Sequence, residues 1–296
     1  MKQYALLTID EKAITLPEAR GILSIPTQLH YRVDMDSPDF KKFRRLERAF
    51  RKHFKTTMLY SSNVERVYRT SELESAQYFS LEFEPLRRDV TGEDSGTRYN
   101  DASACAECGH GGFQVGVLKL PHLGDLKNDL TITYGGEVII SKRARAILSE
   151  SGITGASYGP IEIGGRASRD YSQLMFSQTV HLDAENTTCG VSPFDTTTEW
   201  EEGGAFVIAG SKIEIPRAVY KCPKAHNLGL RLIGEVFLTK SESMTTDLFA
   251  SVQTIGVRRG YIRPLPVFMC TQPAYRIFRD NGVTGITFNR AHGIAV

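Results

Sequence analysis

A chain of 296 residues, 41% hydrophobic and 24% charged, has the composition of an ordinary globular protein and enough apolar material for a sizeable core. A net charge of +2 excludes the global field of a dedicated nucleic-acid binder, so any basic site must be local. Five cysteines, an odd number, are too few for a disulfide framework, and neither a run of about 18 apolar residues nor a signal-peptide core is present. A cytoplasmic protein with no membrane span is expected, its cysteines serving as thiols or metal ligands.

Residues 1–95 read as an N-terminal α/β segment. Ser37 can cap a basic helix that carries Phe40, Phe43, Phe50 and Phe54 on one face, with Lys41, Lys42, Arg44, Arg45, Arg48, Arg51, Lys52 and Lys55 filling the other positions. Such a helix either docks by its Phe face with a solvated basic face, or lies on nucleic acid or an anionic membrane. Residues 71–76 suggest a short helical segment, and residues 80–85 alternate like an edge strand. The polar, glycine-bearing residues 90–104 read as a loop or linker and as the boundary of this segment.

Residues 96–163 form a first unit. It opens with the knuckle Cys105-Ala106-Glu107-Cys108-Gly109, continues through strands at 112–120 and 129–134, and leads from 137–140 into a helix over 141–151 that ends at Gly152. A tail strand over 156–163 closes it. Residues 164–215 connect the units and contain the acidic patch Glu199, Trp200, Glu201 and Glu202, a candidate partner surface around the only Trp. The same stretch holds His181-Leu182-Asp183, two polar groups on one strand face, for which chance is an adequate explanation. Cys189 and Cys270 have no partner at ligand spacing and read as buried structural thiols.

Residues 216–296 repeat the first unit. Residues 144–158 align with 274–288 without a gap at an offset of 130, the sign of one structural unit built twice. Cys108 lies 21 residues before Asp129, and His226 lies 21 before Asp247. Asp129 to Gly152 spans 23 residues and Asp247 to Gly282 spans 35, so the second unit carries 12 extra residues centred on Arg258, Arg259, Tyr261 and Arg263. A loop present in one copy only is a natural place for function.

The second knuckle, Cys222-Pro223-Lys224-Ala225-His226, supplies two more N/S ligands. With Cys105 and Cys108 they make four, the number a closed structural zinc site needs, and His110 is a substitute ligand. Zinc held this way has no open position for water and would join the copies without activating a nucleophile. A redox pair at Cys105 and Cys108, or a vestigial site, is the competing reading. The expected architecture is α+β: two similar mixed units joined across zinc, with the N-terminal segment packed on them.

The first knuckle, the run 136–141, the paired Gly-Ile/Val-Thr-Gly ends and residues 222–230 resemble the bacterial double-CxxCG proteins, a family abundant in myxobacteria. The resemblance covers about residues 100–296. It departs from the family pattern where Ala225-His226 replaces a Cys-Gly pair. It implies an interaction protein, not an enzyme: an immunity protein that binds a cognate toxin, with residues 199–202 and Arg258, Arg259, Tyr261 and Arg263 as candidate surfaces. The alternative is a zinc-ribbon-like nucleic-acid binder using helix 41–55 and Arg258 to Arg263, its affinity falling steeply with salt. An uncharacterised enzyme around His181 and Asp183 is the third reading.

Overall fold

Antiparallel pairing and one amphipathic helix build the N-terminal layer. Strand β1 (Lys2–Ile9) pairs with β2 (His30–Asp34); helix α1 (Pro38–Phe54) follows, and β3 (Leu59–Val67) returns along the other edge of β1. Ser37 caps α1 by accepting from the Phe40 N–H, and Phe40, Phe43, Leu46 and Phe50 are buried against Ala5, Leu7, Ile9 and Val33. Each large side chain so buried contributes on the order of 1.5–3 kcal/mol. The Phe face therefore docks, as the spacing predicts. The computed structural model describes residues 1–23, 29–86, 90–122, 126–190, 192–194, 204–208, 211–215, 221–239 and 244–293.

The chain continues through α2 (Thr70–Glu74), β4 (Tyr78–Phe83), β5 (Arg98–Asn100), β6 (Phe113–Val115), β7 (Leu118–Leu120) and β8 (Leu130–Ile132). Next come β9 (Val138–Ser141), α3 (Lys142–Glu150), β10 (Ala156–Gly159), β11 (Ile161–Ile163), β12 (Arg166–Ala167), β13 (Tyr171–Phe176) and β14 (Gln178–Val180). Short strands follow: β15 (Cys189–Gly190), β16 (Gly204–Ile208), β17 (Ser211–Ile215), β18 (Asn227–Gly229) and β19 (Arg231–Leu232). The chain ends with β20 (Val236–Leu238), β21 (Leu248–Ile255), β22 (Leu265–Thr271), α4 (Gln272–Asp280) and β23 (Ile286–Gly293). At 39% strand and 19% helix the class is α+β.

Two sheets share one pairing scheme. One runs β8-β9-β13-β10; the path of the other runs β14-β21-β22-β4-β23-β20. In the first, Tyr171 faces Ser141 and Phe176 faces Ala156; in the second, Tyr78 faces Thr271 and Phe83 faces Ile286. Beyond β13 the chain runs parallel to β21, and beyond β4 Pro85 bridges Ile132 of β8 in parallel. Likewise β7 lies parallel to β11, and β20 parallel to the end of β23. The sheets therefore exchange strands. β4, which precedes β8 and β9 in the chain, completes the sheet of β22 and β23, while β13, which precedes β21 and β22, completes the sheet of β9 and β10.

This corrects two expectations. The strand read as an edge at 80–85 is internal, with Phe79 fully buried and stacked on Tyr275 at 4.3 Å between ring centroids. A period of two identifies a strand but not its neighbours. The stretch 90–104 is no free linker either: Thr91 and Thr97 are buried, and 98–100 is a strand paired with β6. A smaller difference lies at 112–120, where Gly116, at φ +86°, separates β6 from β7.

The features that recur in sequence bind one another across the two sheets. The Asp129 carboxylate accepts from the Thr284 N–H (3.2 Å) and from the Ser141 hydroxyl (2.7 Å). Asp247 accepts from the Thr154 N–H (3.0 Å) and from the Thr271 hydroxyl (2.9 Å) in the same way. Leu130 N–H donates to the Thr284 carbonyl and Leu248 N–H to the Thr154 carbonyl, each at 3.0 Å. Burial raises the Asp247 carboxyl, yet the bonds from Thr154 and Thr271 outweigh it and hold it below the usual range. Between the sheets lies one core that includes Phe79, Leu81, Leu130, Ile140, Leu148, Leu248 and Phe278.

The N-terminal layer is fixed to this body by backbone recognition. Arg66, from β3, donates to the Ile233 (2.5 Å) and Gly234 (2.7 Å) carbonyls, and the Tyr68 hydroxyl donates to Glu235 at 2.9 Å. No helix among the described residues is long and apolar enough to cross a membrane.

Candidate metal centre

Each knuckle is a tight turn that aims its ligands inward. In the first, Gly109 N–H donates to the Cys105 carbonyl (2.7 Å) and Cys105 N–H to the His110 carbonyl (2.8 Å), which folds the chain around the two thiols. Gly109 sits at φ +80°, and a Cβ there would lie 2.5 Å from the Cβ of Arg258. Both facts call for glycine after Cys108. In the second knuckle Ala225 N–H donates to the Cys222 carbonyl at 2.8 Å, with Ala225 itself left-handed at φ +56°. The buried Asn227 side chain accepts from Cys222 N–H (2.6 Å) and donates to the Gly256 carbonyl (3.0 Å), tying this knuckle to the end of β21.

The two turns meet. Cys105 Sγ is 3.7 Å from Cys222 Sγ, and His226 Nδ1 is 3.7 Å from both Cys108 Sγ and Cys222 Sγ. The four ligand atoms lie within 4.8 Å of one another, with all three cysteines buried, and can hold a metal ion. Sequence positions 117 or more apart are thus brought to one point. His110, the expected substitute, is outside this group. Its ring stacks on that of His226 at 4.8 Å between centroids and fixes the imidazole's plane.

The thiols differ in their surroundings. Backbone N–H groups of Cys108 and Glu107 point at Cys105 and pull it down to about 6, whereas burial pushes Cys108 up to about 12. A compensating cation is what a buried set of thiolates requires. Cys189 and Cys270 lie outside the cluster. Burial raises both, Cys189 to about 12 and the fully enclosed Cys270 well above the ordinary range, as inert thiols should behave.

The 12-residue insertion supplies a wall of this centre. Val257 packs against Cys105, Cys108 and Cys222, and Arg258 N–H donates to the Cys108 carbonyl at 2.9 Å. Arg258 and Arg263, read from sequence as part of a partner or phosphate surface, are engaged inside the chain. Arg258 reaches Glu93 (3.1 Å) and Asp101, while Arg263 bonds Glu93 and Asp101, both at 2.7 Å, and lies 3.7 Å over the Tyr99 ring. Only 8% of the Arg263 side chain is exposed. Tyr261 remains 51% exposed and Arg259 is half-buried. Residues 199–202 lie outside the described residues. Glu93, Asp101 and Tyr99 were missed because they fall in the stretch read as a linker; carboxylates opposite an Arg-rich insertion were the available signal.

The ion-pair network makes a pH prediction. Hydrogen bonds from Arg263 and then Arg258 hold the Asp101 carboxyl at about 2, below its ordinary value. A depressed carboxylate contributes stability that is fully present above its unfolded pKa and is lost as pH falls through the folded one. The stability advantage of wild type over Asp101→Asn should therefore shrink between about pH 4 and pH 2. Parallel denaturation curves at several pH values measure it, and a difference that stays constant would contradict the network.

The Asp183 carboxylate accepts from Glu185 N–H (2.9 Å), Asn186 N–H (3.1 Å) and the Asn186 side chain (2.7 Å), and so shapes a turn. A cleft of ≈ 580 Å³ opens beside the first knuckle, between β13 and the β21–β22 pair. Phe113 and Met175 line it while 53% and 40% exposed. A comparison with protein-family models finds no match, and one with curated proteins finds none.

Proposed function

We propose that Cys105, Cys108, Cys222 and His226 hold a structural zinc ion, and that the zinc-clamped scaffold, the product of an internal duplication, is an interaction protein that neutralises a cognate bacterial toxin. The observation that carries the zinc reading is the spacing of the donors. Tetrahedral ligands on Zn–S bonds of about 2.3 Å lie about 3.8 Å apart, and the three ligand pairs at 3.7 Å match this before any rearrangement. Three thiolates and one imidazole suit zinc by their softness and leave it no fourth site for water. A non-catalytic role follows from that closed set.

The binding reading is supported by the cleft and by the resemblance to double-CxxCG proteins. Large side chains such as Phe113 and Met175, left exposed on one concave surface, are the kind of anchor a protein partner covers. The direct test is co-expression with a toxin encoded by a neighbouring gene. Wild type should form a stable complex and restore growth, and Phe113→Glu should abolish both while retaining its metal. Equal protection by Phe113→Glu would remove the cleft from the account, and the lack of any complex with the neighbouring toxin would remove the immunity role.

A further inference from the structure

Helix α1 carries a second surface that neither the zinc centre nor the cleft uses. Lys41, Arg45, Arg48, Lys52 and Lys55 are all exposed, at spacings of four, three, four and three residues. At 100° per residue Lys41, Arg45, Arg48 and Lys52 fall within about 40° of one line along the helix, with a cation about every 5 Å over roughly 16 Å, and Lys55 follows as the left-handed cap at its end. None of the five is engaged in an ion pair among the described residues, whereas the helix's acids are consumed elsewhere. Asp39 pairs with Lys42 at 2.7 Å, and buried Glu47 takes Arg51, the Thr57 hydroxyl and the Met58 N–H. The small net charge of +2 makes this row more telling, because it is local.

We propose that this row is a binding site for the phosphodiester backbone of nucleic acid. A line one residue wide of regularly spaced cations fits a linear polyanion. A lipid surface would ask for apolar anchors on the same face, and the helix's Phe40, Phe43 and Phe50 are buried on the opposite side. The site contacts phosphates only and reads no sequence. The arginines of the insertion take no part, since Glu93 and Asp101 hold Arg258 and Arg263.

The test uses the full-length protein and a fluorescent DNA duplex of about 24 base pairs and arbitrary sequence, titrated at several salt concentrations. Four to five phosphate contacts give a log–log salt slope near −4, so affinity should fall about 250-fold between 50 and 200 mM salt. Arg45→Glu/Arg48→Glu should abolish binding with the circular dichroism spectrum unchanged. Arg166→Glu/Arg169→Glu, an equal charge change on exposed arginines elsewhere, should leave the slope intact. The proposal fails if the α1 double variant binds as wild type does, or if no binding is seen at 50 mM salt. It also fails if phosphatidylserine vesicles bind and the duplex does not, which would assign the row to membranes.

Discussion

Alanine at Gly285 is expected to cost at least roughly 3 kcal/mol, and alanine at Gly155 a similar amount. Gly285 stands at φ +83°, and a Cβ on it would come 1.9 Å from the Leu130 carbonyl oxygen; Gly155 stands at φ +88°, and a Cβ there would come 2.1 Å from the Leu248 carbonyl oxygen. The Gly155 and Gly285 carbonyls also accept from Ser177 N–H (3.0 Å) and Glu84 N–H (2.9 Å), so each glycine holds the point where an exchanged strand leaves its sheet. Gly152 and Gly282 provide the contrast. Both have positive φ, at +70° and +58°, but nothing lies within 4 Å of either Cβ, and alanine there should cost only about 1 kcal/mol. Denaturant unfolding of the four variants measures the difference. Equal small losses at all four sites would contradict the close approach of Gly155 to Leu248 and of Gly285 to Leu130.

Removal of the metal should be the other large effect. Zinc bound only by the folded chain adds its binding free energy to folding, about 10–16 kcal/mol in small zinc modules, which is comparable to the whole stability of a domain. Cys222→Ser should therefore destabilise the protein by at least roughly 5 kcal/mol, and a strong chelator should bring wild type down to the level of that variant. Cys189→Ser, which removes a thiol outside the cluster, should cost about 1 kcal/mol and leave chelator sensitivity in place. Thermal unfolding with and without chelator decides the matter. Wild type that is indifferent to chelator and no more stable than Cys222→Ser would contradict a structural ion.

The parts legible in the sequence were those encoded locally. The Phe spacing announced α1, Ser141 and Gly152 bracketed α3, and the knuckles named the four side chains that the fold brings together and that could hold a metal ion. The exchange of β4 and β13 was not legible, because hydrophobic alternation carries no address for the strand on either side. The clue was present in another form. Asp129 and Asp247 recur in sequence, as do Thr154 and Thr284, and the fold pairs Asp129 with Thr284 and Asp247 with Thr154. The role of the insertion was hidden for a similar reason. Arg258 and Arg263 look like a phosphate surface in one dimension, and only the return of Glu93 and Asp101 from some 160 residues away neutralises them.

The central claim is that one ion joins the knuckle of each repeat. Elemental analysis of purified wild type beside Cys105→Ser and Cys222→Ser tests it most directly. The account predicts about one zinc per chain in wild type and its loss in both variants, since each removes a ligand of the same tetrahedral set. Wild type without metal, or metal that survives one of the two substitutions, would contradict a shared site.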